Sequence, residues 1–140
     1  MPAYFDSSVL ISLLVGDRHA SRARELWHDE IERVSSILLD IECTTVLRRL
    51  PRAGRHAEGR KAEERLVLAL EEVTLKPLDE DIAAVVRSTS ALSSCRTLDA
   101  VHLATALYFR TADPDLRVCT FDARMAEVAV RVGLAVHDSA

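Results

Sequence analysis

Four carboxylates stand where apolar residues are expected: Asp6 follows Ala3-Tyr4-Phe5, Glu42 sits within Ile41-Glu42-Cys43, Asp99 opens the run Leu98 to Ala106, and Asp122 follows Leu116 to Phe121. Three of them have an ordinary local use. Asp6 and Asp122 can cap the helices that begin after them, and Asp99 falls in a first helical turn, where the helix dipole favours an anion. Glu42 has no such use. Its neighbours at i±4 are Leu38 and Val46, so no lysine or arginine along its own helix offsets the charge, and a carboxylate in an apolar row needs a partner. Asp40, two residues away, points in another direction and reads as solvated. Brought together, four such acids repel one another unless a cation neutralises them. Hard divalent ions, Mg²⁺ or Mn²⁺, prefer oxygen ligands. Such an ion lowers the pKa of bound water and clamps the oxygens of an in-line phosphoryl displacement. The chemistry these residues suggest is metal-dependent hydrolysis of a phosphodiester.

The elements around the acids alternate. Ala3 to Phe5 reads as a strand and Val9 to Val15 as a helix that is apolar nearly all round, ended by Gly16. A second helix is expected from about His19 to Glu32, with Ala20, Ala23, Leu26, Trp27 and Ile31 on an apolar face that a partner could cover. Val34-Ser35-Ser36 is a short strand or connector, and a third helix runs from Ile37 to Leu50, stopped by Pro51. Pro51 to Gly59 reads as an internal loop, and Arg60 to Glu72 as a fourth helix. Val73 to Leu78 is a strand, and Asp79 caps a fifth helix to about Ser90. Thr97 is expected to cap the Asp99 helix, with Leu98, Val101 and Ala104 inward. Leu116 to Phe121 is a strand, Asp122 starts a helix to Val132, Gly133 ends it, and Leu134 to Val136 is a last strand. Strands alternating with helices give an α/β domain with a largely parallel sheet. Ligands of such sheets bind beyond the carboxyl ends of the strands, the edge that Asp6 and Asp122 occupy.

Composition sets the outer bounds. The 140 residues, taken as a single domain over 1–140, are 49% hydrophobic and 29% charged, the balance of a folded chain with its own core. No apolar run approaches the roughly 20 residues that span a bilayer, and the first residues lack a basic secretory leader. Cys43, Cys95 and Cys119 are odd in number and far apart, so they read as reduced thiols of a cytoplasmic protein and not as a zinc site or disulfide framework. The formal net charge of −4 argues against an indiscriminate nucleic-acid coat while leaving local patches open. The five histidines are scattered. His102, three residues after Asp99, reads as a core histidine. Neither a nucleophile elbow nor a glycine-rich phosphate loop is present.

In this order and spacing, Tyr4-Phe5-Asp6-Ser7-Ser8, Leu39-Asp40-Ile41-Glu42 with Val46-Leu47-Arg48-Arg49, Thr97-Leu98-Asp99-Ala100-Val101-His102-Leu103-Ala104 and Thr120-Phe121-Asp122 with Gly133-Leu134 resemble the PIN-domain ribonucleases, in particular the VapC toxins of bacterial toxin–antitoxin pairs. The resemblance covers essentially the whole chain. It implies a three-layer α/β/α sandwich and a Mg²⁺- or Mn²⁺-dependent endoribonuclease. Asp6, Glu42 and Asp99 would be the principal catalytic and metal-binding acids and Asp122 the fourth. Ser7 or Ser8 and Thr120 match the family's hydroxyl positions, where hydrogen bonds would orient the carboxylates. The partners implied are RNA, a cognate antitoxin and a second copy in a homodimer, with no membrane. The run Arg48, Arg49, Arg52, Arg55, His56, Arg60, Lys61 then reads as a phosphate-binding patch, with Arg48, Arg49 and Arg52 contacting RNA. Aromatic residues for base stacking are scarce. Two other classes compete. A non-catalytic PIN-fold binding module would be expected to have lost an acid, and none is lost. A phosphatase of the haloacid dehalogenase kind needs a second acid where Ser8 stands, and a phospho-acceptor receiver needs an acidic pair and a late lysine that are not visible.

Overall fold

The structure, a computed structural model, describes residues 2–29, 32–50 and 56–137. Five strands, β1 (Pro2–Phe5), β2 (Glu32–Ser36), β3 (Val73–Lys76), β4 (Arg117–Cys119) and β5 (Ala135–Val136), form one sheet in the order β3-β2-β1-β4-β5. Every pairing is parallel. Seven α-helices join the strands among the described residues: α1 (Ser7–Val15), α2 (Ala20–Asp29), α3 (Leu38–Arg49), α4 (His56–Leu70), α5 (Glu80–Ser88), α6 (Thr97–Ala112) and α7 (Ala123–Arg131), with a 3₁₀ turn over Ser90–Ser94.

Period-two alternation sorts the side chains onto two cores. Ala3, Phe5 and Cys119 face one way and pack with Leu10 of α1, Trp27 of α2, Leu39, Cys43 and Leu47 of α3 and Leu66 of α4. Tyr4, Val34 and Val118 face the other way and pack with Ile82 of α5, Leu103 and Ala104 of α6 and Met125 of α7. Helices α1–α4 therefore cover one face and α5–α7 the other, the expected three-layer α/β/α sandwich. β1 is central and wholly buried, as a parallel strand covered on both faces must be. From β1 the chain winds outward to β2 and β3, then crosses back to β4 on the other flank. The β1/β4 junction is thus the topological switch point, where the carboxyl ends of the strands open a crevice.

Several boundaries differ from expectation. α2 ends by Asp29, and Glu32 and Arg33 belong to β2. Their polarity conceals a strand whose inward half is Val34-Ser35-Ser36. The α2 face of Ala20, Ala23, Leu26 and Trp27 is no partner surface: each is at most 5% exposed, packed in the core, and Ile31 lies outside the described residues. α4 starts at His56, so Gly59 is helical rather than looped, and the rest of the expected loop, 51–55, lies outside the described residues. Arg96, in extended conformation, takes the N-cap position of α6 without a side-chain cap bond, so Thr97 is already helical and does not cap. Leu98 is 49% exposed. The α6 face turned inward is that of Ala100, Leu103, Ala104 and Ala106, with His102 and Thr105 buried beside them. β4 stops at Cys119, which puts Thr120, not Asp122, immediately beyond the strand.

Candidate active site

The helices that follow β1, β2 and β4 start at the carboxyl edge of the sheet and carry three of the acids, while Asp99 rides on α6, which follows the 3₁₀ turn. Asp6 is the N-cap of α1 and Asp122 the N-cap of α7, each accepting backbone N–H groups of its helix. Asp99 is in the first turn of α6. Glu42 lies on α3, one turn in from a start that Ser36 helps to fix, its Oγ accepting the Leu38 N–H at 3.1 Å. Capping and site formation are therefore compatible uses of the same aspartates.

Asp6 is 3% exposed, and its carboxylate is held from both sides. Oδ1 accepts the Ser8 N–H at 3.0 Å and the Ser8 hydroxyl at 2.5 Å. Oδ2 accepts the Thr120 hydroxyl at 2.5 Å. Each hydroxyl also accepts a backbone N–H, Phe121 to Ser8 at 2.9 Å and Asp122 to Thr120 at 3.0 Å. Each hydroxyl thus accepts one N–H and gives its single proton to Asp6. The lattice of bonds joins α1 to the β4–α7 connection across the switch point. Burial pushes the Asp6 carboxyl above the usual carboxylate range, against the hydrogen bonds from Ser8 and Thr120, which pull it down. Of the two hydroxyl candidates at the start of α1, Ser8 makes these bonds. Ser7 Oγ has no hydrogen bond among the described residues.

Glu42 finds its partner 60 positions away. Its Oε1 lies 2.5 Å from His102 Nε2, and His102 Nδ1 lies 2.6 Å from the Tyr4 hydroxyl. Burial raises the Tyr4 pKa, so the phenol keeps its proton and can donate it to Nδ1. The ring then carries its own proton on Nε2 and donates it to Glu42. His102 is buried, as a core histidine should be, but its two ring nitrogens tie the central strand to a site acid. Its spacing from Asp99 is the one signal in the sequence for this role.

Asp99 is raised by burial first and then by the negative charge of Asp122, with Glu42 adding to it, while Arg96 and His102 act in the opposite direction. Asp99 and Glu42 line one cavity of about 370 Å³, together with Arg96, Thr97 and Leu98. Asp6 in turn feels His102, the partner of Glu42. The four acids thus share one electrostatic neighbourhood, in which the cationic contacts are modest: Arg96 Nε stands 3.8 Å from Asp99 Oδ2. Among the described residues no three acids, histidines or cysteines stand close enough together to enclose an ion as they are. The donor set itself is all oxygen, with a buried carboxylate that has no lysine or arginine partner among the described residues, and it suits a hard divalent ion.

The arginines expected to touch RNA lie elsewhere. Arg48 and Arg49 are in the last turn of α3, about 10 Å along the helix from Glu42 at 1.5 Å per residue. Arg48 pairs with Glu63 of α4 at 2.8 Å. Arg52 is outside the described residues, while Lys61 is on α4, exposed. Cys43, Cys95 and Cys119 form no disulfide, and burial pushes Cys43 up to about 12, so it is an inert core residue.

The PIN-domain family model matches residues 3–131. The chain belongs to the PIN-domain family. Among PIN proteins it is similar to Ribonuclease VapC46 of Mycobacterium tuberculosis, 36% identical over 134 residues that cover 95% of this chain and 94% of the relative. It is also similar to Ribonuclease VapC35 of the same organism, 28% identical over 138 residues, covering 95% and 93%. A solved chain from a toxin–antitoxin complex of Klebsiella pneumoniae superposes with a TM-score of 0.66 at 24% identity, over 99% of this PIN chain and 98% of that one. Among the described residues no helix is long and apolar enough to cross a membrane.

Proposed function

We propose that this PIN protein is a VapC-like ribonuclease, the toxin of a toxin–antitoxin pair, and that Asp6, Glu42, Asp99 and Asp122 hold the Mg²⁺ or Mn²⁺ with which it cleaves RNA. The similarity to VapC46 along nearly the full length of both chains supports the activity. One observation carries the site: a buried carboxylate, Asp6, fixed by two hydroxyl protons at the switch point and without a lysine or arginine partner among the described residues. Burying such a charge costs several kcal/mol unless a counter-charge is supplied.

In this reading Ser8 and Thr120 set the direction of the Asp6 lone pairs, and His102 holds one oxygen of Glu42 so that the other is free for ligation. Asp99 and Asp122 close the site from the starts of α6 and α7. The ion, when bound, supplies the positive charge that offsets the four carboxylates and stabilises charge developing on the phosphodiester oxygens. An antitoxin partner follows from the toxin reading, and a second copy of the chain is part of it. The groove between α3 and α4, about 670 Å³ and floored by Leu66 and Leu70, has the apolar character of a protein-binding surface.

Incubation of the pure protein with RNA in Mg²⁺, in Mn²⁺ and in EDTA tests the proposal. Fragments should form with either ion and not in EDTA. Equal cleavage in EDTA, or none under any condition, overturns it.

A further inference from the structure

Beside the acids, on the side away from α3, a cleft of about 350 Å³ runs between α7 and the 3₁₀ turn with the start of α6. Arg96, Arg124 and Arg131 line it, against two carboxylates, Asp99 and Glu127. None of the three guanidiniums is consumed by a strong internal pair. Arg96 stands at 3.8 Å from Asp99, and Arg131 at 3.4 Å from Glu127 and 3.5 Å from Ser94 Oγ. The Arg124 guanidinium has no hydrogen bond or ion pair among the described residues. In a chain of net charge −4, three converging arginines with weak partners have a cost in self-repulsion that a bound anion would relieve.

The position of the cleft identifies the anion. Arg96 and Asp99 are common to this cleft and to the cavity that Asp99 shares with Glu42, so the two spaces adjoin across one wall. A strand with its scissile phosphodiester at the acids would bring a neighbouring phosphate to the cleft, and guanidinium forks match phosphate oxygens. We propose that Arg96, Arg124 and Arg131 form a subsite for a non-scissile phosphate of the RNA substrate. This rests on the ribonuclease reading. It gives an acidic site the attraction for RNA that its own carboxylates deny it. Arg48 and Arg49 lie at the far end of α3, and Arg48 pairs with Glu63, so they are less able to do this at the point of cleavage.

The test uses Arg124→Ala/Arg131→Ala and the charge-preserving Arg124→Lys/Arg131→Lys, since neither side chain touches the acids and the Arg124 N–H bond to Asp122 is kept in every variant. Cleavage of a short mixed-sequence single-stranded RNA is followed in Mg²⁺ over a salt series. The alanine pair should raise KM by about tenfold with kcat little changed, and flatten the slope of log kcat/KM against log salt by about 0.7, the share of the one phosphate no longer neutralised. The lysine pair should keep most of the slope. The Mg²⁺-induced rise in melting temperature should equal that of wild type. Unchanged KM and slope overturn the subsite, as does a loss of antitoxin binding alone, which would make the cleft a protein-docking surface. If wild type cleaves no RNA, the ribonuclease reading fails by itself. Direct binding of the same RNA then decides the subsite: a salt slope reduced by the alanine pair upholds it, and an equal slope ends it.

Discussion

His102 Nε2 donates to Glu42 Oε1 at 2.5 Å from a side chain that is almost wholly buried, while Glu42 itself reaches toward solvent. Because the Tyr4 hydroxyl engages Nδ1 on the other side of the ring, the imidazole is held in one orientation. The bond therefore fixes where a site carboxylate points, as hydrogen-bonded partners of metal ligands do. His102→Ala should weaken Mn²⁺ affinity by about 10- to 100-fold and destabilise the fold by about 1–3 kcal/mol, since the buried Tyr4 hydroxyl loses its imidazole partner. His102→Gln, whose amide can still donate to Glu42, should recover part of the affinity. Calorimetric titration with Mn²⁺ separates this from packing: a lower melting temperature with unchanged affinity would leave His102 as core filling only.

Thr120 makes a second, independent test of positioning. Its hydroxyl donates to Asp6 and accepts from Asp122 N, so Thr120→Val keeps the shape and removes both bonds. The expected cost is about 1–3 kcal/mol in stability, with a fall in Mg²⁺ affinity and in kcat. Thr120→Ser should behave nearly as wild type. Equal kinetics for the valine and serine variants would show that the hydroxyl does not orient Asp6.

The outlying arginines of α3 can still contribute to RNA affinity through long-range charge. Reversing Arg48 and Arg49 to Glu should lower the slope of log K against log salt by up to about 0.7 for each phosphate no longer neutralised, without altering kcat. Binding of the antitoxin by the same variant must be measured in parallel. A defect there, with the salt slope intact, would assign these residues to the partner surface beside the α3–α4 groove.

How far the sequence reveals this arrangement depends on separation along the chain. Asp6 is legible because a carboxylate directly after an apolar strand is a local pattern, and alternating elements send it to the carboxyl edge of a parallel sheet. Ser8 and Thr120 are legible only through family resemblance, since the bonds that commit both to Asp6 join residues up to 114 positions apart. The partner of Glu42 is hidden for the same reason. Nothing in Leu38, Val46 or their neighbours points to a histidine 60 residues later. Arg96, Arg124 and Arg131 escape notice because each is a single charge on a separate turn, whereas the run from Arg48 to Lys61 is conspicuous as a string. The inward face of α6 is misread because two polar residues, His102 and Thr105, are buried with it, and an apolar count alone turns the helix the wrong way.

The last prediction separates a shared ion from unrelated helix caps. Asp99 is raised by burial and by Asp122, and Asp6 by burial. A carboxyl whose folded pKa exceeds its unfolded value of about 3.9 binds more protons in the folded state, so its contribution to stability falls as pH rises from about 4 through the folded pKa and is level above it. Asparagine at position 99 does not titrate. In EDTA the melting temperature of Asp99→Asn, relative to wild type, should therefore climb over that window and stay level or higher at neutral pH. Loss of the exposed Arg96 pairing subtracts little, as surface pairs contribute about 0–1 kcal/mol. Mg²⁺ should then reverse the order. An ion that binds only the folded state at ten times its Kd stabilises by about 1.4 kcal/mol, which for a domain of this size is a rise of roughly 3–6 °C. Wild type should show that rise against a NaCl control of equal ionic strength, and it should grow with pH over the same window, because protons and the ion compete for the same oxygens. Asp99→Asn should lose most of it, together with RNA cleavage. Equal Mg²⁺ shifts in the two proteins would remove Asp99 from the metal site, and the four-acid reading with it.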